Sequence, residues 1–212
     1  MIVTSEKPFD NILEMVQGKK VGILGCVGGC ASLYNTGGKE QVESLSSRLS
    51  GAGVDVVFAS TQGRHCTLTD FTGIKGSETL GESDVILIMA CGVGVQSVAG
   101  LAEIPVYPAL DTKFAGMRFD SELAERCLAC GDCVLHLTGG ICPITRCPKS
   151  LLNGPCGGVY AGKCEVDRTN DCAWILIYKR LKELGQLDKN RSIKPAKDFK
   201  VMAHPRKFTE AL

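Results

Sequence analysis

The chain has 212 residues, twelve of them cysteine, with 44% hydrophobic residues, 22% charged residues and a net charge of +1. This balance suits one large or two modest globular domains; it argues against a wholly disordered chain, a fibre, and an overall field that would gather nucleic acid. No signal-peptide core opens the chain and no run reaches the roughly 18 apolar residues of a membrane span, so the sequence reads as cytoplasmic, where a dozen thiols point to metal ligation or redox chemistry rather than disulfides.

Residues 1–120 read as a small Rossmann-like α/β unit with a parallel, doubly wound sheet. An amphipathic helix is expected from about Asp10 to Gln17 and a strand over Val21–Gly25. A helix over Gly38–Leu49 follows, with Val42, Leu45 and Leu49 at helical spacing and Gly51–Gly53 as its stop. Val54–Ala59 and Asp84–Ala90 read as buried parallel strands, and a short helix through Val95–Leu101 leads to a fourth strand at Ile104–Pro108. Residues 121–188 read as a cysteine-rich, loop-dominated iron–sulfur domain closed by a helix over Asp171–Leu184, with Trp174, Ile177, Leu181 and Leu184 on one stripe, Asn170 as cap and Gly185 as stop. Residues 189–212 read as extended, either a solvated terminus or, the reading favoured, an arm ordered against another subunit. In it Lys189, Arg191, Lys194, Lys197, Lys200, Arg206 and Lys207 alternate with Pro195, Pro205, Phe199, Val201, Met202 and Phe208, a mixture suited to lying against another subunit.

Cys26 and Cys30 follow the first strand, Cys66 the second and Cys91 the third. Loops at the carboxyl ends of parallel strands converge on one crevice, so four thiolates can meet there, the number that a [4Fe–4S] cluster or a tetrahedral zinc requires. The competing reading is that these are small buried core residues. His65 is a possible substitute ligand. The Gly22, Gly25, Gly28, Gly29 run lacks the dinucleotide spacing and two cysteines occupy its turn, so a nucleotide site is a minor hypothesis.

Cys127, Cys130 and Cys133 form a C-x-x-C-x-x-C triplet, the spacing with which bacterial ferredoxins wrap one cubane. Cys142 and Cys147 each precede a proline, and Cys156, Cys164 and Cys172 complete eight, enough for two clusters. Their assignment to clusters is not legible, and interleaving is open. Structural zinc competes, although its ribbons carry two separated C-x-x-C pairs rather than a triplet.

The stretch from Cys127 through Leu-Thr-Gly-Gly-Ile-Cys-Pro, Leu-Leu-Asn-Gly-Pro-Cys-Gly-Gly and Gly-Lys-Cys-Glu-Val to Cys-Ala-Trp resembles the methylenetetrahydrofolate reductase C-terminal domain family. That family includes the small iron–sulfur subunit of the two-subunit reductases of acetogenic bacteria, which work in the Wood–Ljungdahl route of one-carbon metabolism. The resemblance implies two or three [4Fe–4S] clusters, one site open to zinc, and ligation by the eight cysteines from Cys127 to Cys172. It also implies a TIM-barrel partner subunit holding FMN, and an electron donor such as ferredoxin. On this reading the chain carries electrons and its partner performs the catalysis; the alternative is a zinc-stabilised scaffold that carries none.

Overall fold

A computed structural model describes residues 1–67, 82–119 and 122–206. Lys207 and Phe208, expected in the arm, lie outside the described residues. The chain divides into two compact units, residues 1–115 and 116–212.

In the first unit, strand β1 (Ile2–Glu6) precedes helix α1 (Phe9–Val16). Next come β2 (Lys20–Cys26), the short helix α2 (Cys30–Leu33), α3 (Lys39–Gly51) and β3 (Asp55–Gln62). After residues 68–81 the chain continues through β4 (Val85–Met89), α4 (Gly92–Ala99) and β5 (Val106–Pro108). A parallel sheet of four strands has the order β3-β2-β4-β5. The expected α/β unit is therefore present, and its strand order, which periodicity does not encode, is now visible.

Both central strands are buried on both faces. Val21 and Ile23 of β2, with Val85, Leu87 and Met89 of β4, face Ile12, Val16, Val42, Leu45 and Leu49 of α1 and α3. Leu24, Cys26, Ile86 and Ile88 point the other way, toward Ala31 and Val98. This two-sided burial explains why β4 is one continuous apolar run rather than an alternating one. Helix α3 ends where the glycines predict. Gly53 takes φ +83°, its N–H reaches the Ser50 carbonyl and the Val54 N–H reaches that of Leu49, a double bond pattern that needs a left-handed residue.

Three strands were not expected from the sequence: β1, β6 (Leu110–Phe119) and β7 (Glu122–Cys127), in the order β1-β6-β7. β1 runs antiparallel to β6, with Ile2 opposite Ala115 and Glu6 opposite Leu110.

The second unit is built largely from turns, with a single turn of helix α5 (Pro143–Arg146) and the longer α6 (Ala173–Glu183). Trp174, Ile177 and Leu181 of α6 are its buried apolar centre, flanked by Ile141, Leu151, Cys172 and Leu187. The expected helix is present, but Cys172 rather than Asn170 is its N-terminal cap residue. The arm differs more. Instead of staying extended, residues 187–206 form two single 3-10 turns, at Leu187–Asn190 and Phe199–Met202, and make hydrogen bonds to the cysteine-bearing loops of their own unit. Prolines and lysines in the sequence mark the segment as irregular without showing what it packs on. Among the described residues, no helix is long and apolar enough to cross a membrane.

Candidate metal centres

The parallel sheet fixes where the first cysteines fall. From β2 the chain leads through α3 to β3 on one side, while β4 lies on the other, so the order of connection reverses between β2 and β4. Such a switch point leaves a crevice at the carboxyl ends of the two strands, where α/β sheets bind ligands. Cys26 ends β2 and Cys91 follows β4 as the cap residue of α4. Burial pushes the Cys26 thiol up, and the nearby Cys66 and Cys91 sulfurs raise it further, against hydrogen bonds at the His65 and Gly28 backbone. Three of the four expected thiols thus share one electrostatic neighbourhood. Cys30 differs in accepting a hydrogen bond from the Ile2 N–H at 3.2 Å.

His65 is wholly buried, and burial lowers its pKa to about 4, which keeps the ring neutral at neutral pH. Its Cβ lies 2.7 Å from where a Cβ on Gly94 would stand, so the first turn of α4 can approach the His65 loop only because residue 94 is glycine. No sequence signal distinguished this packed role from that of a ligand.

In the second unit, four of the eight cysteines, Cys127, Cys130, Cys133 and Cys142, line a cavity of about 330 Å³. Two turns with positive φ, at Ala129 (53°) and Gly131 (78°), bend the loop between them. The bend aims the Ala129 N–H at the Cys127 sulfur, 3.3 Å away, the kind of backbone donor that stabilises a thiolate. β7 delivers Cys127, and Cys142 enters at the start of α5, which the Thr145 hydroxyl ties to the Arg126 carbonyl at 3.1 Å.

The other four, Cys147, Cys156, Cys164 and Cys172, line a separate and much smaller cavity of about 20 Å³, together with Arg146, Lys149 and Trp174. Two turns join its walls: the Cys164 N–H bonds the Asn170 carbonyl at 3.0 Å and the Cys172 N–H bonds that of Gly162 at 2.8 Å. Cys172 also sits at the N-terminus of α6 as its cap residue, so the helix fixes where it enters the cavity. The downstream cysteines therefore group in chain order, the first four and the last four, with no interleaving between cavities. Among the described residues, no three or more Cys, His, Asp or Glu side chains stand close enough to hold a single metal ion as they are.

The first cavity suits a group of several atoms. A four-thiolate metal ion sits within about 2.3 Å of each sulfur, and a space of about 330 Å³ is far wider than that. The second has room for little more than one water-sized body.

A family of proteins described as "Methylene-tetrahydrofolate reductase C terminal" matches residues 107–200, the stretch that carries all eight of these cysteines. The match fits a subunit of a methylenetetrahydrofolate reductase. No curated protein and no solved structure matches the chain.

Proposed function

We propose that the chain is an electron-transfer subunit of a methylenetetrahydrofolate reductase, relaying electrons from a ferredoxin-like donor to the FMN of a TIM-barrel partner subunit. The observation that carries this reading is the division of eight cysteines into two consecutive sets of four, each around its own cavity. The family match over residues 107–200 supports the choice of complex. On this reading Cys127, Cys130, Cys133 and Cys142 hold a [4Fe–4S] cluster, which when bound supplies one-electron storage at the protein surface. The protein's own part is to present four thiolates on a tightly bent loop and to aim the Ala129 N–H at the sulfur of Cys127.

The small second cavity favours a second reading for Cys147, Cys156, Cys164 and Cys172, a tetrahedral zinc that ties the turns together. Cys26, Cys66 and Cys91, with Cys30 able to join by releasing the Ile2 N–H, are proposed as a third metal site at the switch point.

Iron, acid-labile sulfide and zinc per chain, measured on anaerobically purified protein, test this directly. Cys133→Ser should remove about four irons and four sulfides while sparing the rest. Cys164→Ser should leave those in place and remove either about four irons or about one zinc, which decides the second set. Zinc without iron in the unmodified protein would refute electron transfer and leave the zinc-stabilised scaffold.

A further inference from the structure

The C-terminal segment does something the cysteine pattern does not announce. Lys197 is buried, with only 3% of its side chain exposed, although it is a lysine on an irregular surface segment. Its ammonium bonds the backbone carbonyl of Asp132 and lies 3.2 Å from the Asp132 carboxylate. Asp132 stands between Cys130 and Cys133 in the loop that lines the larger cavity. Four residues on, Val201 lies against Gly131, where an added Cβ would come within 3.2 Å of its Cγ2. Arg206 then donates to the Ala129 carbonyl at 2.6 Å. Three successive contacts thus fasten residues 197–206 over residues 129–132, and two of them are made by cations.

We propose that this segment is an electrostatic clasp, in which Lys197, fixed by Asp132, raises the reduction potential of the group held by Cys127, Cys130, Cys133 and Cys142. The proposal rests on the cluster reading above. A buried lysine costs desolvation and entropy, so its place is explained by a charge it offsets. Four thiolates around a cluster are anionic, and each one-electron reduction by a ferredoxin-class donor adds one negative charge. A fixed cation therefore stabilises the reduced form more than the oxidised one. The Asp132 carboxylate offsets only part of this field, because it is 52% exposed and partly screened by water while the ammonium is enclosed. Lys197 is thus a positioning residue for charge, acting without ligating.

The test is a redox titration of the iron-loaded full chain followed by paramagnetic resonance, with the first-set signal identified as the one lost in Cys133→Ser. Lys197→Met should move that midpoint to more negative potential, and Lys197→Arg should restore it. Asp132→Asn, which removes the carboxylate but keeps an acceptor for Lys197, should move it the opposite way. Signals from other sets should not move. Unchanged midpoints in iron-loaded Lys197→Met and Asp132→Asn overturn the clasp and leave the cluster reading standing. A shift that Lys197→Arg fails to restore also overturns it, since packing rather than charge is then responsible. Iron-free wild-type protein overturns both. If Lys197→Met does not fold, Lys197→Gln takes its place and is read in the same way.

Discussion

A hydrogen on Gly37 is all that the loop after Cys26 can accommodate there. A Cβ at that position would stand 2.4 Å from the Met89 carbonyl oxygen and 2.8 Å from the Ala31 Cβ. Neither neighbour is a flexible side-chain tip, so Gly37→Ala should cost about 1–3 kcal/mol, read as a lowered midpoint of denaturant unfolding. Gly29→Ala is the control. Its φ is +71° with nothing within 4 Å of the added Cβ, so only backbone strain of about 1 kcal/mol should appear. At this scale the sequence displays the chemistry of a residue but not its surroundings. The cysteines stand out by number, whereas Lys197 is one of seven basic residues spread through an aperiodic segment, and nothing local marks it and Lys194 as the two buried ones among the described residues.

Helix α6 does the packing for a unit otherwise made of turns. Its Gly185, at φ +66°, lets the Gln186 N–H return to the Leu181 carbonyl and its own N–H to that of Lys182, which ends the helix where the glycine predicts. Since Ile177 is fully buried and the apolar centre is small, Ile177→Ala should destabilise the unit by about 2–5 kcal/mol, measured as loss of protection in hydrogen exchange over residues 173–183. Elements with a helical stripe or a continuous apolar run were legible: β2, β3, β4, α3 and α6 all fall within a few residues of the expected bounds. The β1–β6 pair was not. Its two strands are separated by more than a hundred residues, and β6 carries Asp111, Lys113 and Arg118 among its apolar positions, so neither half announces its partner. Nor did spacing reveal how the eight downstream cysteines divide. Folding of residues 134–141 and 148–155 decides that, and these loops have no period.

The two units differ in what holds them together. Residues 1–115 enclose a sheet buried on both faces, while among the described residues of 116–212 the large buried apolar side chains are Ile144, Trp174, Ile177 and Leu181, and the eight cysteines are all partly or fully exposed. If metal supplies the missing cohesion, chelation under reducing conditions should abolish hydrogen-exchange protection across residues 122–190 and leave β2 and β4 protected. Equal protection before and after metal removal would show that turns and α6 suffice.

Trp174, the chain's single tryptophan, donates from its indole to the Leu151 carbonyl at 2.8 Å and lines the cavity of Cys147, Cys156, Cys164 and Cys172, but not the larger one. A metal taken up by the last four cysteines would lie beside this ring, so loading that set should change the ring's emission, which a metal titration followed by fluorescence checks. The ring is then a built-in fluorescent reporter for that set of thiols.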